Sequence, residues 1–118
     1  MKNIERKIYK RPWGTYQTLK LSSNCQVKWI EVNPKSKLSL QKHQKRAEHW
    51  IVVKGQPKIT INSRKKNYKK NEHIFIPKKT IHRIENVSKV SKVILVEVQL
   101  GSYLGEDDII RIEDIYGR

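Results

Sequence analysis

The 118-residue sequence predicts an all-β domain built as a double-sheet jelly roll. Short stretches rich in β-branched and aromatic residues recur at regular spacing, and turn residues separate them. No window has the periodicity of an amphipathic helix, apart from a single turn near residues 106–110. Apolar residues make up 36% of the chain and charged residues 31%. We therefore expect one modest core inside a compact barrel.

The predicted elements follow one another along a single domain that covers residues 1–118. Residues 1–10 are polar and predict an N-terminal arm, which leads through a Pro-Trp-Gly turn into the first strand. The predicted strands are residues 16–21, 26–32, 38–44, 48–53, 57–61, 67–68, 73–76, 82–86 and 92–99. Residues 101–118 are rich in glycine and acidic residues, and they predict a C-terminal tail that crosses the barrel as a strap or lid.

Four side chains that can bind transition metals lie in two short stretches. Gln41 and His43 are two residues apart, so on a strand they face the same side. Glu48 opens the next predicted strand after a short polar break, and a hairpin can bring it to the same point. His82 follows a turn in the second stretch. One amide oxygen, one carboxylate oxygen and two imidazole nitrogens are a suitable ligand set for a divalent transition metal.

These two stretches resemble the paired motifs of the cupin superfamily. The spacing of the first motif is met by Lys35, Gln41, His43, Glu48 and Gly55. The spacing of the second motif is met by Asn71, Pro77, Lys79, His82 and Asn86. Three of these positions are glycine in the motifs and are Lys35, Asn71 and Lys79 here. Asn tolerates a left-handed backbone better than Lys does, so the two lysines are the larger departures.

Longer motifs narrow the resemblance to the type II mannose-6-phosphate isomerase domain. That domain usually forms the C-terminal part of a bifunctional isomerase and mannose-1-phosphate guanylyltransferase. The motifs are Arg-Pro-Trp-Gly-Thr-Tyr at 11–16, the stretch from Leu-Ser-Leu-Gln to Ala-Glu-His-Trp at 38–50, and the tail from 101 to the final Tyr-Gly-Arg. The resemblance implies the interconversion of mannose 6-phosphate and fructose 6-phosphate through an enediol or enediolate, which serves GDP-mannose and polysaccharide biosynthesis.

The resemblance also implies the metal ligands and one bound divalent metal ion. The implied ligands are Gln41, His43, Glu48 and His82. A divalent cation can hold both reacting sugar oxygens and stabilise the negative charge that develops on them. We expect zinc first, with manganese, cobalt and nickel as alternatives, because mixed nitrogen and oxygen ligands do not discriminate sharply among these metals.

Aldose–ketose isomerisation also needs a base that moves a proton between two carbons. Glu97 shares a strand face with Val93 and Leu95, where burial would raise the pKa of a carboxyl group. The alternative is that this face points outward and Glu97 is solvated. Lys37 stands where the isomerase pattern has a basic residue, and it can hold a substrate oxygen or carry a proton. Arg46 stands beside the ligands within the most specific motif.

The phosphate of the substrate needs a cationic clamp, and guanidinium groups match phosphate oxygens in pairs. We expect this clamp among Arg46, Arg118 and Arg11. The resemblance further implies that the tail folds over the mouth of the pocket and contributes Tyr103, Arg111 and Arg118. A lid of this kind excludes water during proton transfer.

The net charge of +15 raises the question of a nucleic-acid or membrane partner. The lysines are scattered along the chain, and no recognition helix, zinc finger or RNA-binding signature accompanies them. We therefore expect no nucleic acid and no membrane as partner, and a basic surface whose field attracts a phosphorylated hexose. Two alternatives remain: a non-catalytic sugar-binding cupin or another sugar-modifying cupin enzyme, and, less favoured, a polyanion-binding β-barrel.

The sequence also gives expectations about location and assembly. The lone Cys25 cannot form an internal disulfide, and no apolar run resembles a signal peptide or a membrane span, so we expect a cytoplasmic protein. No Gly-rich phosphate loop is present, which predicts a stand-alone isomerase domain without guanylyltransferase activity. A separate guanylyltransferase is then a candidate partner. The resemblance and the N-terminal arm favour a homodimer that exchanges arms.

Overall fold

A computed structural model describes residues 2–116, and it confirms the all-β prediction. The strands are β1 (Ile8–Arg11), β2 (Gly14–Leu21), β3 (Cys25–Val32), β4 (Ser36–Lys37), β5 (Leu40–Lys42), β6 (Arg46–Lys54), β7 (Lys58–Ile61), β8 (Arg64–Asn67), β9 (His73–Ile76), β10 (His82–Asn86), β11 (Val93–Gly101) and β12 (Ile110–Glu113). Over these residues, no helix carries an apolar stretch long enough to cross a bilayer.

The strands form two antiparallel sheets that enclose one core. The first sheet has the order β1-β2-β3-β11-β6-β9, and the second has the order β12-β5-β10-β7-β8, with β4 also pairing with β10. In the first sheet β11 lies between β3 and β6, so three stretches that are far apart in sequence become neighbours. This arrangement places the inward faces of β3, β11 and β6 side by side on one wall of the barrel.

Three elements differ from the sequence predictions. The predicted strand at residues 38–44 is shortened to β5, the separate strand β4 ends before it begins, and His43 lies just beyond the end of β5. The Gln41 side-chain amide bonds locally to the hydroxyl of Ser39 at 2.9 Å and to its backbone carbonyl at 3.4 Å, and a side-chain bond to a carbonyl competes with the ladder of a sheet. The N-terminal segment supplies β1, which pairs with β2, and the C-terminal segment supplies β12, which pairs with β5. These pairings satisfy backbone groups that would otherwise lie on open edges.

The interior of the barrel changes from apolar to polar at one level. Along β11, the buried residues Val93 and Leu95 are followed by the buried residues Glu97 and Gln99. The paired positions in β3 and β6 change in the same way. Leu95 lies between the apolar residues Ile30 and Val52. Glu97 lies between Lys28 and Trp50, and Gln99 lies between Gln26 and Glu48. Buried polar groups are costly unless they bond to one another or to a ligand. The polar level is therefore the place to look for a site.

The three positions where glycine was replaced keep the left-handed backbone. The φ angles are 55° at Lys35, 76° at Asn71 and 63° at Lys79. Each backbone N–H donates a hydrogen bond, to the carbonyls of Ser88, Val52 and His43 respectively, at 2.7–2.9 Å. The turns therefore retain the conformation that glycine favours, although a side chain makes that conformation more costly.

Candidate metal centre and its cavity

Two imidazoles and one carboxylate meet at the polar level of the barrel. His43, Glu48 and His82 each offer one ligand atom, and these three atoms lie within 4.8 Å of one another. All three residues are buried. Nε2 of His43 is 3.2 Å from Oε2 of Glu48, and Nε2 of His82 is 3.9 Å from Oε1 of the same carboxylate. Ligand atoms around a tetrahedral metal with bonds of about 2.1 Å are about 3.4 Å apart. The three side chains therefore fit a divalent transition metal with only small movements.

Hydrogen bonds to carbonyl groups set the tautomers of both imidazoles. Nδ1 of His43 lies 2.7 Å from the carbonyl oxygen of Asp108, and Nδ1 of His82 lies 2.9 Å from that of Thr80. A carbonyl only accepts, so each Nδ1 carries the proton and each Nε2 offers its lone pair. Burial lowers the pKa of His43 to about 4, which keeps this ring neutral at physiological pH, as metal binding requires.

Gln41 is placed where it can complete the ligand set. It lies on β5 directly opposite His82 on β10, and it lines the same cavity as the three clustered side chains. Its Nε2 donates to the hydroxyl of Ser39 at 2.9 Å, and this bond leaves the amide oxygen as the group that can accept or bind a metal. The amide oxygen is the donor atom that a hard or borderline cation would select.

A second carboxyl group stands beside Glu48. Nε1 of Trp50 donates to Oε1 of Glu48 at 3.0 Å and to Oε2 of Glu97 at 2.9 Å, so one indole joins both groups. Burial and the adjacent Glu48 charge raise the pKa of Glu97 to about 8. Although burial opposes it, the Arg46 cation holds the pKa of Glu48 well below its usual range. The pair thus consists of one carboxylate and one group that carries a proton near neutral pH.

Arg46 contacts two of the candidate metal ligands and leaves one of its own hydrogen-bond donors unused. It shares the inward face of β6 with Glu48, and its Nε donates to Oε2 of that residue at 2.8 Å. Its Nη2 lies 3.3 Å from Nε2 of His43. Its Nη1 is buried and has no hydrogen-bond partner among residues 2–116. Buried donors are almost always satisfied, so this atom points to an acceptor on a bound molecule or water.

These groups line one cavity, which is open to solvent and has a volume of about 610 Å³ when its mouth is included. The lining contains the four predicted metal ligands together with Glu97, Arg46, Arg11 and Arg111. Two predicted residues lie outside the lining. Lys37 is partly exposed on β4, and the Tyr103 hydroxyl donates to the exposed Asp107. Arg118 lies outside the described residues.

The cavity also contains residues that the sequence prediction missed. Nζ of Lys28 makes an ion pair of 2.8 Å with Glu106, and it lies 4.3 Å from the ring centre of Tyr16. Both Lys28 and Tyr16 line the cavity. Lys28 lies two residues before Ile30 on β3 and shares its face of the strand, so strand periodicity could have placed it on the inward face. The contact with Glu106 spans 78 residues of sequence, and no local pattern could have shown it.

Solved structures of low sequence identity share this fold. The chain matches the cupin domain of Cnp3 from Schizosaccharomyces pombe with a TM-score of 0.69 and 16% identity, covering 74% of this chain and 64% of that one. It matches the oxalate decarboxylase from Bacillus subtilis with a TM-score of 0.80 and 15% identity, covering 91% of this chain and 30% of that one. These likenesses confirm the predicted cupin-type double-stranded β-helix.

Curated relatives share far more sequence. The alginate biosynthesis protein AlgA of Pseudomonas aeruginosa is 48% identical over 92% of this chain, and the xanthan biosynthesis protein XanB of Xanthomonas campestris is 49% identical over 96%. The mannose-1-phosphate guanylyltransferase ManC of Salmonella typhimurium is 47% identical over 98%. The chain spans only 22–24% of the length of these relatives. A family profile described as "Mannose-6-phosphate isomerase C-terminal" matches residues 1–114, and the chain therefore belongs to this family.

Proposed function

We propose that the chain is a metal-dependent isomerase that interconverts mannose 6-phosphate and fructose 6-phosphate. The observation that carries the proposal is the buried cluster of His43, Glu48 and His82, whose imidazoles present Nε2 to one point beside Glu97. Together with Gln41, these residues would hold a divalent metal, with zinc expected first. Such an ion supplies Lewis-acid stabilisation for the oxygen charge that develops during the reaction.

Glu97 is our candidate for the group that carries the proton between the two carbons. It lines the cavity, and a pKa of about 8 lets it release and take up a proton near neutral pH. Trp50 donates to one oxygen of its carboxyl group and Gln99 donates to the other. These bonds fix the orientation of the carboxyl group, which proton transfer to a defined carbon requires.

Cationic side chains around the cavity would bind the phosphorylated sugar. Arg11 and Arg111 line it from β1 and β12, and Arg46 lies deeper, beside the ligands. Binding a phosphate far from the reacting carbons supplies energy that positions the sugar. Lys37 and Tyr103 lie outside the lining, so we give them no contact with the substrate.

We expect the active form to be a cytoplasmic homodimer, and the outer face of the first sheet offers a surface for it. Ile51 on β6, Phe75 on β9 and Leu100 on β11 are 44–52% exposed on this face. An exposed apolar patch of this kind is where a second copy would pack. The names of relatives that serve alginate and xanthan biosynthesis support a role in supplying mannose for polysaccharides, and a separate guanylyltransferase is our candidate partner.

The decisive experiment measures isomerase activity on mannose 6-phosphate after chelation and after single divalent metals are restored. We expect activity to disappear with chelation and to return with at least one metal. His43→Ala should lose both metal binding and activity, whereas His49→Ala should keep metal binding, because His49 is exposed on the opposite side of β6. A folded protein that binds a metal without turnover would contradict the isomerase proposal and favour a sugar-binding cupin.

A further inference from the structure

A carboxylate from the C-terminal segment enters the cavity and is held there as a bound anion would be. Oε2 of Glu106 accepts from Nζ of Lys28 at 2.8 Å and from Nδ2 of Asn3 at 3.1 Å. Nη1 of Arg46 lies 4.0 Å from the same oxygen. Two hydrogen-bond donors and one further cation, from three separate parts of the chain, thus converge on one oxygen atom. Charge-assisted convergence of this kind is typical of carboxylate and phosphate binding.

The two cations are buried, whereas the carboxylate is the more exposed partner. Lys28 and Arg46 are only 4% and 5% exposed. Lys28 makes no other hydrogen bond within residues 2–116, and Nη1 of Arg46 makes none. The Glu106 side chain is 21% exposed and stands in a turn, and its Oε1 accepts no hydrogen bond from the described residues. Rotation of this one side chain would release Lys28 Nζ and one N–H of Asn3, whose Nδ2 also donates to Gln26 at 3.0 Å, beside the unpaired Nη1 of Arg46.

We propose that Lys28 and Arg46 form an anion-binding subsite of the cavity, and that Glu106 is a tethered carboxylate that competes with the anionic group of the ligand for it. The subsite takes phosphate or a phosphorylated sugar. The natural ligand rests on the proposed function, but anion binding itself requires neither metal nor turnover. A neutral sugar offers no group that replaces a carboxylate here, so the competition selects for anionic ligands.

The electrostatics support this competition at neutral pH. Burial opposes ionisation of Glu106, but the Lys28 and Arg46 cations hold its pKa below the usual range, so it competes as an anion. A phosphate group presents several acceptor oxygens and more charge than a carboxylate, and it can use the free Nη1 of Arg46 together with Lys28. The ligand therefore displaces the side chain instead of binding beside it.

The test is calorimetric titration of the chelated full chain with inorganic phosphate. Glu106→Gln should bind phosphate about tenfold more tightly than the wild type, the order expected for loss of a charged competitor. Asp107→Asn removes the same charge from the adjacent exposed residue and should change the affinity less than about twofold. Lys28→Met should lose phosphate binding. If Glu106→Gln binds phosphate no more tightly than Asp107→Asn does, the proposal is wrong.

A second variant distinguishes occupation of the subsite by the Glu106 carboxylate from a general effect of its negative charge. Glu106→Asp keeps the charge but shortens the side chain by one methylene, so its carboxylate no longer reaches Lys28. We expect this variant also to bind phosphate more tightly. If Glu106→Asp bound phosphate with wild-type affinity while Glu106→Gln bound it more tightly, direct occupation of the subsite by the carboxylate would be refuted. Mannose, titrated as the neutral probe, should bind equally to the wild type and to Glu106→Gln, and thermal unfolding identifies any variant that does not fold.

These outcomes are independent of the isomerase proposal. The titrations contain no metal and no turnover, so a protein without isomerase activity can still show the competition. Conversely, an active isomerase whose Glu106 variants bind phosphate like the wild type would retain the proposed function and lose this subsite.

Discussion

The turn before His82 allows a quantitative test of how this chain forms its site without the usual glycine. Lys79 has a φ angle of 63°, in the left-handed region, and its backbone N–H donates to the carbonyl of His43 at 2.7 Å. This bond joins the loop that carries one imidazole to the residue that carries the other. Lys79→Gly keeps the bond, because the donor is the backbone, and removes only the side chain.

The expected change in stability is the difference between two effects. A non-glycine residue in the left-handed region costs about 1–2 kcal/mol relative to the ordinary regions. Glycine gives the unfolded chain extra freedom, which costs about 0.4–1 kcal/mol. Lys79 is exposed, so its side chain contributes little packing. Lys79→Gly should therefore stabilise the metal-free protein by about 0.5–1 kcal/mol, which corresponds to a rise in Tm of about 2–5 °C.

Urea denaturation of the metal-free protein measures this change, and the adjacent residue supplies the control. Lys78 is also exposed, and its φ angle is not positive, so Lys78→Gly removes the same charge without relieving strain. We expect that variant to lose about 0.5–1 kcal/mol, because glycine there adds only unfolded-state freedom. Equal losses in both variants would show that the turn is not strained, and the reasoning about the missing glycines would be wrong.

The remaining predictions concern the proton carrier, the metal-free cluster and the dimer face. Glu97→Gln should still bind the metal but lose at least about 100-fold in turnover, the usual contribution of a general base, whereas Glu85→Gln on β10 should keep full activity. The folded pKa of His43 is depressed to about 4, so the unfolded state takes up a proton first as pH falls. Glu97→Gln removes the opposing titration of the neighbouring carboxyl group, whose raised pKa stabilises the folded state as pH falls. In that variant the metal-free protein should lose up to about 3 kcal/mol of unfolding free energy between about pH 6.5 and about pH 4 in denaturation experiments, and a flat profile would contradict the burial argument. Ile51→Lys should sediment as a monomer, whereas Ile112→Lys, on the second sheet, should sediment as a dimer. If both variants remain dimeric, the proposed face is not the interface.

Local sequence patterns carried the fold class and the spacing of the metal ligands. Short strands and their turns follow from residue type over a few positions, so the all-β prediction was confirmed without knowledge of pairing. Gln41, His43 and Glu48 lie within eight residues of chain, and the second motif places His82 after its own turn. The left-handed turn at Lys79 could also be expected, because the motif requires that conformation there whatever the residue.

The tertiary structure alone decided which faces point inward and which distant groups meet. Strand periodicity placed Glu97 on a face but could not say whether that face was buried; the pairing of β11 between β3 and β6 decided it. Lys28, Asn3 and Glu106 converge from both ends of the chain. Periodicity describes each strand by itself, whereas burial, pKa and charge pairing depend on neighbours set by the order of strands in the sheet. The sequence by itself thus determined the candidate metal ligands, and strand order determined the carboxyl group and the cations around them.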